Sequence, residues 1–240
     1  MACRMLIAVG KFPVDQLLDG FKLMALNENE KHEKNRDNPN YIHDDGWGIV
    51  LGKSGNLIEI YKRAVPCWKD PKFMKYYDAN VDFILVHARR ASNKKLGRNL
   101  TLTHPFEREG WCFCHNGTVS ELEVKGESDS ERFFALLMAN MKQQENVKDA
   151  IETTVKNLKK YTALNFILVN ARANNALAYI LVKYQKNPNY YTMKFFENKD
   201  HIIVSSEVLP NFKGEWKRIK NATLLEIPFP QKKALLHSVA

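Results

Sequence analysis

The chain predicts an α+β fold. Its helix-like stretches gather in the middle, strand-like runs stand on either side of them, and no βαβ unit repeats along its 240 residues. Hydrophobic residues make up 45% of the sequence, enough for a sizeable core, and no composition shift, internal repeat or low-complexity segment divides it. A single domain over residues 1–240 is therefore expected.

The first element is the run from Met1 to Val9, apolar throughout except Arg4, with one thiol, Cys3, at its mouth. Closed by Gly10 and Pro13, it reads as a buried strand. Val14 to Leu26 carries Leu17, Leu18, Phe21, Leu23 and Met24 at helical spacing, whereas Asn27 to Tyr41 is polar without a period and reads as an exposed loop. Gly46 to Leu51 and Leu57 to Tyr61 form a hairpin around Lys53-Ser54-Gly55. A short helix is expected over Asp70 to Tyr77, and strands over Val81 to His87 and Trp111 to His115. Ser128-Asp129-Ser130-Glu131 has the form of a capping box and opens a helix running through Phe133 to Met141. A second helix should run from about Asn146 to Lys160. Strands then follow at Ala163 to Asn170, Leu177 to Tyr184, Tyr191 to Phe196, Ile202 to Ser205 and Thr223 to Ile227. Turn clusters at Asn174-Asn175, Asn187-Pro188-Asn189 and Asn198-Lys199-Asp200 separate the first four.

Composition narrows the function. No apolar run is long enough to span a membrane, and the opening segment is too short and lacks the basic start of a signal peptide. Cysteines at positions 3, 67, 112 and 114 have neither disulfide-framework nor zinc spacing, which points to the reducing cytoplasm. Net charge is +9, but the lysines are scattered and no nucleic-acid-binding motif accompanies them. A solvated basic surface, suited to acidic small molecules or an acidic partner protein, is the expectation. Neither nucleic acid nor membrane is an expected partner, and no cofactor is expected.

A terminus tied into the core needs a reason. Free Cys packs as a small hydrophobe, and many domains start on an edge strand. The functional alternative is a nucleophile beside the chain's own α-amino group. Thiols titrate near ~8.5 and α-amines near ~7.7–8.0, so the two exchange a proton readily near neutrality. Three polar clusters stand at strand ends: His87-Ala88-Arg89-Arg90-Ala91-Ser92, Thr103-His104-Pro105-Phe106 and His115-Asn116-Gly117. Asn-Gly serves hairpin turns, but an Asn amide beside a Gly N–H also supplies two converging donors for an oxyanion. Arg89 offers a planar fork for a carboxylate, and Asp129 either caps its helix or accepts from an ammonium group. A metal site from His87, His104 and His115 with Cys112 and Cys114 is not expected. Strand alternation points the two thiols away from His115, and no spacing matches a zinc helix.

Cys3-Arg4-Met5, His43-x-Asp45-Gly46-Trp47-Gly48, His87-Ala88-Arg89-x-Ala91-Ser92, His104-Pro105-Phe106, His115-Asn116-Gly117, Ser128-Asp129-Ser130-Glu131 and Ser205-Ser206-Glu207 occur in one order across the chain. Together they resemble the class II glutamine amidotransferases, which are N-terminal nucleophile hydrolases, and most closely the small members with only a glutaminase domain. The resemblance implies a four-layer α/β/β/α sandwich of two antiparallel sheets. It implies that Cys3 attacks the glutamine side-chain amide and holds a γ-glutamyl thioester, its freed α-amine acting as base and then acid. Asn116 and Gly117 would form the oxyanion hole. Arg89 would clamp the α-carboxylate and Asp129 the α-ammonium, while His87 and Ser92 would shape the glutamine pocket. Ammonia would pass to an acceptor or a separate synthetase subunit.

Two departures from the family pattern stand out. Ala2 precedes Cys3, so loss of Met1 alone leaves the Cys3 nitrogen in an amide. A leader cut after Ala2, an Ala2 added in cloning, or an inactive protein would each account for it, and the added residue is the expectation. Leu102 also stands two residues before His104-Pro105, where the family often has Asn. The rival readings are a γ-glutamyl amide hydrolase of a small peptide or metabolite, in which water finishes the reaction, and a non-catalytic subunit that keeps the fold.

Overall fold

The opening run folds as strand β1 (Arg4–Gly10), and its period of two sets the layers of the molecule. Leu6 and Ala8 turn to one face, where helix α1 (Val14–Leu26) buries Leu17, Leu18, Phe21 and Met24 with them. Met5, Ile7 and Val9 turn the other way, into a second apolar layer. The structure is a computed structural model that describes residues 3–170, 176–229 and 233–239.

After α1 come the short helix α2 (Glu33–Asp37), strands β2 (Gly46–Lys53) and β3 (Asn56–Arg63), helix α3 (Pro71–Lys75) and strand β4 (Phe83–Arg89). Strands β5 (Phe106–Arg108) and β6 (Trp111–Val119) precede the paired helices α4 (Asp129–Met141) and α5 (Val147–Asn157). Strands β7 (Tyr161–Asn170) and β8 (Ala176–Val182), the single turn α6 (Pro188–Tyr191), and strands β9 (Lys194–Glu197), β10 (His201–Ser205), β11 (Trp216–Arg218), β12 (Thr223–Phe229) and β13 (Leu235–Ser238) complete the order. One sheet has seven strands in the order β11-β9-β10-β1-β4-β2-β3, the other six in the order β13-β12-β8-β7-β6-β5. Every pairing is antiparallel.

Three apolar layers hold the sheets and helices together. The outer face of the seven-stranded sheet packs on α1 and α3, around Trp47, Phe21 and Phe73. Val50, Leu85, Cys112, Cys114, Ile167 and Ile180 fill the space between the sheets. The outer face of the six-stranded sheet buries Phe113, Phe166 and Leu168 against Phe133, Leu137 and Ile151 of α4 and α5. The result is the four-layer α/β/β/α sandwich of antiparallel sheets, with Cys112 and Cys114 facing the opposite side of β6 from His115, whose ring meets Phe133.

Several elements depart from the sequence reading. The polar loop over Asn27 to Tyr41 contains α2, capped by His32, whose Nδ1 accepts from the Lys34 and Asn35 amides. Tyr191 does not begin a strand. Pro188 starts the turn α6, because its fixed φ suits a first helical residue, and β9 waits until Lys194. Strands β5, β11 and β13 are three or four residues long and carry too little pattern to be read from sequence. The Asn174-Asn175 turn and residues Met1 and Ala2 lie outside the described residues.

The largest correction concerns His115-Asn116-Gly117. It does not end its strand, because β6 runs on to Val119, with Asn116 opposite Asn165 and Gly117 opposite Leu164. Asn-Gly is therefore not a turn here. Gly117 has a φ of 155°, and a Cβ there would collide with the Ala163 carbonyl across the ladder, so the strand continues only because this residue has no side chain.

Candidate active site

Alternation carries the predicted residues to one end of the space between the sheets. Cys3 precedes β1 on the side of Met5, Arg89 ends β4 on the side of Leu85, and Asn116 follows Cys112 and Cys114 along β6. β1 and β4 are neighbours in one sheet, and Cys3 lies one residue past the Arg4–Ala88 pair. β6 belongs to the other sheet. Across this end the Cys3 nitrogen donates to Asn116 Oδ1 at 2.8 Å, linking the mouth of β1 to the other sheet.

That bond fixes the Asn116 side chain. With Oδ1 turned to Cys3, the Nδ2 amide group is left without a protein acceptor among the described residues, and it remains available as a donor. The Cys3 thiol is fully buried, with Sγ 4.0 Å from the Arg90 carbonyl. Burial pushes its pKa up from the ordinary thiol value, against the smaller opposing effects of the Arg90 carbonyl contact and the Arg89 charge. At neutral pH it is a thiol, and it needs a base at hand to act as a nucleophile.

The main chain of Cys3 is held from behind. The Tyr190 hydroxyl of α6 donates to the Cys3 carbonyl at 3.0 Å, and His43 Nε2 lies 3.1 Å from the same hydroxyl. Arg4 stacks over the Tyr190 ring at 4.0 Å, donates to the Tyr190 carbonyl and pairs with buried Glu207. The Ser206 hydroxyl accepts from the Met5 amide at 3.0 Å. Sequence reasoning did not find Tyr190, which is 187 residues from Cys3, between a turn cluster and the strand expected from Tyr191.

Arg89 is buried, and its fork is engaged with the chain itself. One terminal nitrogen donates to the Leu96 carbonyl at 2.8 Å, the other to the Gly97 carbonyl, and Nε has no partner among the described residues. Burial lowers its pKa. Asp45 braces the same segment: its amide donates to the Arg89 carbonyl, and its carboxylate accepts from the Ala91 amide at 2.7 Å. Asp129 opens α4, which Ser128 caps through the Glu131 amide, and its Oδ2 accepts from the Val119 amide at 3.0 Å. Its other oxygen makes no bond among the described residues.

His87 and Ser92 stand differently. Ser92 is exposed past the end of β4. The His87 ring is buried, its Nε2 3.3 Å from the His115 carbonyl and its ring centroid 4.2 Å from that of His104. Burial pushes its pKa down to about 3, so it is neutral. A cavity of about 430 Å³ bounded by Asp44, Asp45, Arg90, Ala91, Gly97 and Arg98 opens beside the segment that carries Arg89. Among the described residues, no group of three or more His, Cys, Asp or Glu side chains could hold a metal ion. No helix among them is long and apolar enough to cross a membrane.

Comparisons with known proteins bear on the family and the fold. The model of the family "Glutamine amidotransferases class-II" matches residues 31–225. A probable glutamine amidotransferase of Saccharomyces cerevisiae is 21% identical, the match covering 75% of this chain and 66% of that protein. A glutamine aminotransferase class-II domain protein of Silicibacter pomeroyi superposes with a TM-score of 0.62 at 17% identity, over 99% of this chain and 100% of its own. The glutamine phosphoribosylpyrophosphate amidotransferase of B. subtilis does so with a TM-score of 0.65 at 17% identity, over 99% of this chain but 49% of its own. At such identities the two structures speak for the fold alone.

Proposed function

Because the chain belongs to the class II glutamine amidotransferases, we propose that it hydrolyses the side-chain amide of glutamine, or of a related γ-glutamyl compound, through Cys3. The observation that carries this reading is the 2.8 Å bond between the Cys3 nitrogen and Asn116 Oδ1. It brings Cys3, at the mouth of β1, against Asn116 of the other sheet, the two residues this reading needs side by side.

The chemistry follows from that pairing. Once residues 1–2 are removed, the Cys3 nitrogen is an amine adjacent to its own thiol. It takes the thiol proton as sulfur bonds to the amide carbon. The amide carbon becomes tetrahedral and its oxygen an oxyanion, held by Asn116 Nδ2 and the Gly117 N–H. Collapse breaks the carbon–nitrogen bond, the ammonium returns its proton to the leaving nitrogen, and ammonia departs. A water then attacks the γ-glutamyl thioester and releases glutamate and the thiol. Arg89 holds the substrate carboxylate once its fork exchanges the Leu96 and Gly97 carbonyls for it, and the free oxygen of Asp129 takes the ammonium. His87 and Ser92 shape the pocket, His87 from beneath through His115. Residues 1–240 act as one domain, and ammonia passes to an acceptor on a separate subunit. We place the reaction in the cytoplasm, where free thiols stay reduced.

Intact mass and N-terminal sequencing of protein from its native source, followed by an ammonia-release assay with glutamine, test the proposal. A terminus at Cys3 with ammonia and glutamate formed in equal amounts is expected. A terminus at Ala2 with no turnover of glutamine or γ-glutamyl amides overturns it.

A further inference from the structure

His43 has no part in the chemistry above, yet its imidazole is completely buried in the middle of a three-link chain, two links from the nucleophile. The links are Ala25 carbonyl to His43 Nδ1 at 3.2 Å, His43 Nε2 to Tyr190 hydroxyl at 3.1 Å, and Tyr190 hydroxyl to Cys3 carbonyl at 3.0 Å. Both ends are carbonyls, which only accept. Three filled links need three protons, but a neutral imidazole and a phenol supply two. A third proton would require an imidazolium, which burial and the nearby Arg4 charge oppose.

One link must therefore go without, and the surroundings decide which. The Ala25 carbonyl already accepts from the His43 backbone amide at 2.8 Å. The Cys3 carbonyl has Tyr190 as its donor, and losing that bond would strand a buried acceptor. The favoured arrangement puts the imidazole proton on Nε2, donating to the Tyr190 oxygen, so that the Tyr190 proton is committed to Cys3.

We propose that Tyr190, oriented by Nε2–H of His43, is a positioning residue for the nucleophile. Its hydroxyl fixes the Cys3 carbonyl while Asn116 fixes the Cys3 nitrogen. The two bonds clamp one residue from both sides of its Cα and so set the direction of the thiol. The ring is itself held, with the Arg4 guanidinium over it and the His32 and Tyr41 rings packed near-perpendicular to it. Because the clamp acts on the enzyme and not on the substrate, it governs kcat and leaves glutamine binding alone.

This inference rests on Cys3 as the nucleophile, and the experiment separates the two. Glutamine turnover and thermal midpoint are measured for enzyme with a free Cys3 amine and for its Cys3→Ala, Tyr190→Phe, His43→Gln, His43→Leu and His43→Leu/Tyr190→Phe variants. Tyr190→Phe keeps the ring under Arg4 and deletes only the hydroxyl. Its kcat should fall about tenfold or more, with KM within about twofold of wild type and the thermal midpoint nearly unchanged. His43→Gln, whose amide can donate to Tyr190, should retain most of kcat. His43→Leu should lose about as much as Tyr190→Phe, and the double variant no more than either, since both break one chain. An unchanged kcat in Tyr190→Phe, a rise in KM alone, or additive losses in the double variant would overturn the positioning role while an inactive Cys3→Ala left the nucleophile in place. Full activity in Cys3→Ala would overturn both.

Discussion

Asn116 is where the residue scale decides most. It lies in a strand, with its amide oxygen committed to the Cys3 nitrogen and its amide nitrogen without an acceptor among the described residues. Asn116→Asp keeps an oxygen for that bond and removes the donor. The loss should fall on kcat, by about 10²–10³-fold, with little change in KM, because the oxyanion exists only along the reaction path. Steady-state kinetics with glutamine check this. A kcat within a few-fold of wild type would remove Asn116 from the oxyanion hole. The sequence singles out Asn116 as a candidate because an Asn amide beside a Gly N–H offers two converging donors, and the structure sets it against Cys3. Its backbone was not legible in the sequence. The dipeptide reads locally as a turn, and only the close approach of β7, with the Ala163 carbonyl against Gly117, makes it part of a strand. Tyr190 was illegible for a related reason: nothing local marks a tyrosine whose one essential partner is a main-chain carbonyl 187 residues away.

Elements with a strong period were legible, and those defined by a neighbour were not. Helices α1, α4 and α5 and the hairpin of β2 and β3 follow their patterns, and the hairpin turns at Ser54 and Gly55, both at positive φ. The short strands β5, β11 and β13 exist because longer strands offer them an edge. Strand β6 supports a prediction at this scale. Gly117→Ala places a methyl group on the Ala163 carbonyl, and the ladder between β6 and β7 has no room to yield. It should cost about 3–5 kcal/mol, within the range of severe overpacking and backbone strain, and abolish turnover. Chemical denaturation checks it. A variant as stable as wild type would mean that β6 does not pass Ala163 as closely as described. Gly48 is held by the same kind of contact, with the His104 carbonyl where its Cβ would sit, which accounts for one glycine of the His43–Gly48 motif.

At the scale of the whole molecule, the sandwich buries neutral histidines close to the site. Burial pushes His87 down to about 3 and His115 down to about 4, from an ordinary value near 6.5. A depressed folded-state pKa means that the unfolded chain binds more protons between the two values. The stability these groups contribute is therefore complete above about pH 6.5 and lost as pH falls through that window. Each should cost about 1.4 kcal/mol per pH unit until its folded value is reached. Denaturation midpoints should fall steadily from pH 6.5 to 4, and His87→Phe, if folded, should flatten the slope. A flat profile would show that these rings are not buried neutral.

The central claim is that Cys3 carries the γ-glutamyl group, and acid quenching during turnover with glutamine followed by peptide mass mapping tests it most directly. A γ-glutamyl adduct on the peptide containing Cys3, absent from Cys3→Ala, which should release no ammonia, is the predicted result. An adduct on Cys67, Cys112 or Cys114, or undiminished ammonia release from Cys3→Ala, would contradict it.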